Sequence, residues 1–294
     1  MGKPIFIAGP TASGKSAIGK EAAIKTGGEI ISVDSMQVYR TLDIGTAKPT
    51  AEERLAVTHH LVDAIEIDEA FDAAKFVELT TTAIDKIAQP IFCGGTGLYF
   101  QAWQEGLGAS PGGEPKLRAE LEGVETEGLL QELQRKDPET HAKIDRRNRR
   151  RIVRAVEVIR LTQKPFSEQR AEWSGKAPEN FFVLARERED LRKRINVRVE
   201  AMFKAGLVAE TCSLRSALEA NAVARQALGY RQVIEHLQGE RDLPDTEARV
   251  KSRTWQFAKR QMTWFRKIDG TRTLNVPPEE APIITAQRIV EQLT

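Results

Sequence analysis

Apolar positions along this chain change their period, and each change marks an element. Short, mostly apolar runs at Ile5 to Ala8, Glu29 to Val33, Pro90 to Cys93 and Phe181 to Ala185 show no polar alternation. Runs of that length and kind predict strands buried on both faces of a parallel sheet. Another short strand is predicted at His59 to Ile65. Between the strands the spacing is helical: Phe76, Leu79, Ala83 and Ile87 form one apolar stripe, and Leu191, Ile195, Val199 and Met202 form another that stops at Gly206. A longer helix, from about Thr246 to Ile268, aligns Val250, Phe257, Trp264 and Ile268. Strands alternating with helices predict an α/β protein with a parallel sheet flanked by helices.

Two clusters of chain-breaking residues interrupt the alternation. They are Ser110, Pro111, Gly112, Gly113, Glu114, Pro115 and, later, Ser174, Gly175, Lys176, Ala177, Pro178. Everything between them is helical in period, with Thr126 as the expected cap of the helix carrying Leu129, Leu130 and Leu133. The expected organisation is therefore a core of residues 1–110 and 181–294 with an all-helical insertion domain at 111–180. The insertion's last helix holds Arg146, Arg147, Arg149, Arg150, Arg151 and Arg154. A 100° step per residue puts Ile152, Val156 and Ile159 on one face and Arg147, Arg150 and Arg154 on the other. With few acids nearby, that stripe suits a polyanion, although a charge run is ordinarily a solvated face.

Composition narrows the class without naming a chemistry. The 294 residues are 40% hydrophobic and 29% charged, with a formal net charge of +2, as in ordinary globular proteins. The apolar run after Lys3 is shorter than a signal-peptide core, and no run is long enough to span a membrane, so a cytoplasmic protein with no membrane partner is expected. Two cysteines, Cys93 and Cys212, cannot make a disulfide framework or a zinc site. Adjacent His59 and His60 do not converge on one metal.

The candidate chemistry begins directly after the first strand. Gly9, Pro10, Thr11, Ala12, Ser13, Gly14, Lys15 and Ser16 form a complete G-x-x-x-x-G-K-S phosphate loop between a strand and a helix. Its glycines let backbone N–H groups wrap an anion, Lys15 adds a point charge, and Ser16 can offer its hydroxyl to a magnesium ion. The loop does not say which phosphate it holds, and a kinase using ATP would carry the same motif. At the end of the second strand stands Asp34, which belongs at the same sheet edge as either a turn cap or a functional carboxylate. Gly94, Gly95, Thr96, Gly97 make a second glycine-rich turn that brings Thr96 to that edge. Basic residues interleaved with Trp255, Phe257, Trp264 and Phe265 in the long helix suit either base stacking or a core.

Taken together, these stretches resemble the bacterial tRNA dimethylallyltransferases. The resemblance rests on the phosphate loop, Asp34-Ser-Met-Gln-Val-Tyr-Arg40, Asp43-Ile-Gly-Thr-Ala-Lys-Pro49, His59-His-Leu-Val-Asp63 and Gly94-Gly-Thr-Gly-Leu-Tyr99. It continues through Arg150 to Arg154, Gln226-Ala-Leu-Gly-Tyr230 and Ala258-Lys-Arg-Gln-Met-Thr-Trp264, in collinear order over nearly the whole chain. It implies a fold like that of the P-loop nucleoside-triphosphate hydrolases. It also implies transfer of a dimethylallyl group from dimethylallyl diphosphate to N6 of the adenosine 3′ to the anticodon, in tRNAs that read codons beginning with U.

By the same resemblance Asp34 is the general base and Thr96 steadies substrate oxygens. Gly9 to Ser16 hold the diphosphate with Mg²⁺ at Ser16, whether or not ATP binds, and Arg188 and Arg194 assist. Contacts to the tRNA anticodon stem-loop fall to Asp34, Ser35, Met36, Gln37, Thr96, Arg118, Arg150, Arg151, Ile152, Val153, Arg154, Lys259, Arg260 and Gln261. A monomer is expected. Phe71, Asp72, Arg192 and Phe257 depart from residues frequent in the family, which touches fine tRNA contacts more than reaction type.

Overall fold

The computed structural model describes residues 2–293, which form two compact units: 2–100 with 175–293, and Gln101–Ser174. In chain order the elements are β1 (Ile5–Ala8), α1 (Lys15–Thr26), β2 (Glu29–Val33), α2 (Ala51–Ala56), β3 (His59–His60), α3 (Ala73–Ile84), β4 (Pro90–Gly94) and α4 (Gly97–Glu105). The insertion adds α5 (Pro115–Gly123), α6 (Thr126–Lys136), α7 (Pro138–Lys143) and α8 (Arg149–Thr162). The chain then returns through β5 (Phe181–Ala185), α9 (Arg188–Lys204), α10 (Leu207–Ala220), α11 (Tyr230–Leu237), α12 (Leu243–Phe265), β6 (Arg272–Asn275) and α13 (Pro282–Val290).

The first unit is built on a six-stranded sheet of order β3-β2-β4-β1-β5-β6, with every pairing parallel. Parallel strands leave both faces to be covered, which is why β1 is buried at all four positions. On one face Ile5, Ile7, Ile91 and Phe182 pack against Ile18 and Ala22 of α1 and Ile289 of α13. On the other, Phe6 stacks between Phe92 and Phe181 at centroid distances of 5.0 and 5.6 Å. Each such buried ring contributes on the order of 2 kcal/mol of transfer free energy.

Register sets the working edge. Ala8 pairs with Gly94 and Val183, and Val33 pairs with Gly94, so the residues following β1, β2, β4 and β5 all emerge at one end of the sheet. Ligands of open α/β sheets bind at that end. The strand at 59–65 is shorter than its apolar pattern predicts. After His60 the backbone takes left-handed φ at Leu61 (61°) and Asp63 (53°), and the ladder stops.

In the second unit α5, α6 and α8 close a core of Leu121, Leu129, Leu133, Ile152, Val156 and Ile159. The chain enters this unit inside α4 rather than at the 110–115 breaker, and leaves it at the 174–178 breaker. Thr126 is the first residue of α6 rather than its cap, which is Glu125, and its hydroxyl accepts from Arg149 Nη1 at 2.6 Å. No helix among the described residues is long and apolar enough to cross a membrane.

Candidate active site

The loop after β1 takes the form its glycines allow. Gly14 has φ 93°, a left-handed conformation that favours glycine, and it caps α1 so that the first-turn N–H groups are left for a ligand. Three side chains from elsewhere hold the loop. Arg186 Nε donates to the Ser13 carbonyl at 2.8 Å, and Arg194 Nε donates to the Ala12 carbonyl at 3.0 Å. Gln261, buried on α12, accepts the Thr11 N–H at 2.8 Å and donates to the Gly95 carbonyl at 2.9 Å, tying the first glycine-rich turn to the second.

Over this edge lies a narrow cleft of about 50 Å³. Thr11, Lys15 and Ser16 line it from the phosphate loop, Asp34 and Gln37 from the end of β2, and Cys93 and Gly94 from the end of β4. Arg198 of α9 and Phe257 and Gln261 of α12 complete it. A larger cavity of about 470 Å³ shares Arg198 and is floored by Ile44, Ala47, Pro49 and Met202.

Charge is concentrated in this cleft. Burial, then the neighbouring Arg198, push the Lys15 ammonium down to about 8. Burial likewise lowers Arg198, with Asp34 opposing it. Two cations forced together out of water leave a site that gains from a bound anion. The Cys93 thiol is pushed up to about 11 by burial and donates to the Lys15 carbonyl at 3.4 Å, so it packs as a small apolar group.

Asp34 fills both roles its sequence position allows. Its Oδ1 accepts from the Met36 N–H at 2.9 Å and the Gln37 N–H at 3.4 Å, a turn cap, while the carboxylate also lines the cleft. Gln37 accepts from Ser32 Oγ at 3.0 Å and donates to the Thr46 and Ala47 carbonyls, each at 3.3 Å. Ser35 and Met36 continue the same turn, half-buried. Thr96 is half-buried beside Gly94, with its N–H on the Val33 carbonyl at 3.2 Å, and its side chain is outside the cleft lining.

Other candidates lie elsewhere. The Arg188 guanidinium sits over Trp255 at 5.7 Å and does not reach the phosphate loop; Arg186, two residues earlier and directly after β5, does. Gln261 is buried under the loops, whereas Lys259 and Arg260 on the same helix are exposed. The buried face of α12 is Val250, Thr254, Ala258, Gln261 and Phe265, which leaves Phe257 half-buried at the cleft instead of in the core.

In the second unit, Ile152 and Val153 are core residues at 0% and 3% exposure and offer no surface to a ligand. The stripe beside them is compensated in part, at Arg154. Glu157, fully buried, pairs with Arg118 at 2.7 Å and with Arg154 at 2.8 Å. Arg149 donates to the Glu122 and Val124 carbonyls. Arg150 and Arg151 are exposed and pair with no acid among the described residues, as do Arg146 and Arg147.

For a divalent ion, the described residues contain no group of three His, Cys, Asp or Glu side chains able to hold one. Ser16 lines the cleft; its hydroxyl together with the oxygens of a diphosphate would make a donor set that suits magnesium. Sequence reasoning missed Arg186, Arg198 and the loop-bridging role of Gln261. Arg186 follows a strand at the working edge and Arg198 lies one helical turn after Arg194, so both carried a positional signal. Gln261 carried none.

Known proteins similar to this chain are numerous. The family model described as IPP transferase matches residues 37–268. A tRNA dimethylallyltransferase of Trichlorobacter lovleyi is 45% identical over 96% of this chain and 96% of its own length. Another, from Acetivibrio thermocellus, is 40% identical over 94% of this chain and 92% of its own. Among solved structures, the tRNA isopentenylpyrophosphate transferase of Bacillus halodurans superposes with a TM-score of 0.71 at 35% identity, covering 99% of this chain and 96% of that one. A eukaryotic dimethylallyltransferase acting on tRNA gives a TM-score of 0.74 at 27% identity, over 93% of this chain and 74% of that one.

Proposed function

We propose, from the premise that this chain belongs to the IPP transferase family, that it moves a dimethylallyl group from dimethylallyl diphosphate to N6 of the adenosine 3′ to the anticodon. As a member of that family it is a tRNA dimethylallyltransferase. The finer reading is carried by one observation: Lys15 and Ser16 of the phosphate loop and the Asp34 carboxylate line the same cleft.

In this reading the loop N–H groups and Lys15 hold the diphosphate, with Arg194 and Arg198 adding positive charge behind it. Magnesium on Ser16 and the diphosphate oxygens would supply charge neutralisation. The allylic C–O bond breaks, its electron pair leaves with the diphosphate, and a C–N bond forms from the adenine amine. That amine is a poor nucleophile, because its lone pair is delocalised into the ring. Asp34 orients the amine and accepts the proton it sheds. Both turn bonds fall on Oδ1, so Oδ2 is the oxygen assigned to that proton. Thr96 steadies substrate oxygens at the cleft mouth.

The base must leave the anticodon-loop stack to reach this cleft, a cost of a few kcal/mol that is smallest in a single-stranded loop. Asp34 to Gln37 read the flipped base. Arg150 and Arg151 on the insertion, with Lys259 and Arg260 on α12, grip the RNA backbone, and the tRNAs are those reading codons that begin with U. A monomeric enzyme of the cytoplasm fits this reading.

Incubating the purified protein with radiolabelled dimethylallyl diphosphate, magnesium and unmodified tRNA, with nucleoside mass analysis of the product, tests it. Label on N6 of that adenosine, without ATP, is the expected result. Phosphoryl transfer from ATP with no prenylation would overturn it.

A further inference from the structure

Glu210 lies outside the cleft, yet the loop that frames the cleft converges on it. The Glu210 carboxylate accepts three consecutive backbone N–H groups: Asp43 at 3.3 Å, Ile44 at 3.0 and 3.1 Å, and Gly45 at 3.4 Å. Successive N–H groups curled around one anion form a nest, and here the anion is the protein's own. Tyr230 closes it: its hydroxyl donates to Glu210 Oε1 at 2.5 Å and accepts the Gly45 N–H at 3.1 Å. A Cβ on Gly45 would fall 2.3 Å from the Tyr230 ring, so the residue there has to be glycine.

Beyond Gly45 the loop reaches the reaction site. The Thr46 carbonyl accepts from Gln37 Nε2 at 3.3 Å and from Arg198 Nη2 at 3.4 Å, and the Ala47 carbonyl accepts from Gln37 Nε2 at 3.3 Å. Ala47 has φ 47°, a conformation disfavoured for a residue with a Cβ, so the loop needs outside support to stay in it. Gln37 and Arg198 line the cleft with Asp34 and Lys15.

We propose that Glu210 is a positioning residue for prenyl transfer, acting through residues 43–47 on Gln37 and Arg198. The inference rests on the transferase reading above. The phosphate loop is held by Arg186, Arg194 and Gln261, none of which depends on this nest. Of the groups assigned to the diphosphate only Arg198 touches residues 43–47, through one bond of 3.4 Å, whereas Gln37, on the acceptor side, is held there by two, so loss of the nest disturbs alignment of the acceptor more than binding of the diphosphate.

The test is steady-state transfer to tRNA by Glu210→Ala, Glu210→Gln and Tyr230→Phe in the full chain, with thermal unfolding in parallel. Small misplacements of reacting groups cost on the order of 10- to 100-fold in rate. Glu210→Ala is expected to lower kcat about 10-fold or more, with KM for dimethylallyl diphosphate within about 3-fold. Glu210→Gln, which keeps an acceptor oxygen, recovers part of the rate, and Tyr230→Phe loses less than Glu210→Ala. If Glu210→Ala does not fold, the other two variants decide. Unchanged kcat in all folded variants, or a loss that merely tracks the unfolded fraction, overturns the inference. Absence of prenyl transfer by the unmodified protein overturns the transferase reading instead.

Discussion

Gln261 and Thr11, 250 positions apart in the chain, share a hydrogen bond of 2.8 Å that fastens the phosphate loop to helix α12. Because the same amide donates to Gly95, one buried side chain sets the spacing between the two glycine-rich turns. Gln261→Ala strands the buried Gly95 carbonyl and frees the half-buried Thr11 N–H, and a buried unsatisfied group costs about 1–3 kcal/mol. Denaturant unfolding should show a loss of that order, and calorimetric titration should show weaker diphosphate binding. Undiminished stability would mean that water replaces the bridge.

Lys15 and Asp34 should separate binding from chemistry. Lys15→Ala removes the cation the diphosphate needs, raising KM and lowering kcat together. Asp34→Asn keeps the acceptor oxygen for Met36 and Gln37, so the turn survives while proton acceptance is lost. A fall in kcat on the order of 10²- to 10⁴-fold with diphosphate affinity intact is expected from rapid-quench kinetics.

The arginines of α8 should divide into two groups by their partners. Replacing exposed Arg150 and Arg151 with alanine should weaken tRNA binding and flatten its salt dependence by up to about two charges' worth of slope, leaving stability unchanged. Arg154→Ala leaves half of the Glu157 pairing unmet and should destabilise the insertion instead. Filter binding across a salt series, alongside thermal melts, distinguishes the two.

Glu157 makes the insertion acid-sensitive. Burial pushes its carboxyl up, but hydrogen bonds from Arg118 and Arg154 outweigh that and hold it below its ordinary 4.5. The folded state therefore binds this proton more weakly than the unfolded state does. Its contribution is complete above about pH 4.5 and is lost as pH falls through the lowered value. Hydrogen exchange of the α5 to α8 amides in the full chain should show protection collapsing in that range. Glu157→Gln should be less protected at neutral pH and should lack this acid step.

Short apolar runs, a phosphate loop and helical spacing made the parallel sheet and the alternation of β1 to β5 with helices legible from residues alone, whereas β6 and α13 gave no such signal. These features are local, since strand burial, loop glycines and helix period depend on neighbours a few positions away. The buried stripe of α9 appeared at Leu191, Ile195, Val199 and Met202 as its spacing requires. Asp34 could likewise be assigned to the working edge, because a parallel sheet brings the ends of its strands together.

Partner choice was decided by tertiary structure. A helical wheel gave Arg154 an outward face, but only the fold set Glu157 and Arg118 beside it and turned part of a basic stripe into an internal ion cluster. The choice of Arg186 over Arg188 for the phosphate loop, and the attachment of residues 43–45 to Glu210, join segments more than a hundred positions apart. One-dimensional spacing fixes which way a side chain leaves its own helix or strand. The groups it meets there depend on how distant elements pack, and that is set by the sum of the core contacts.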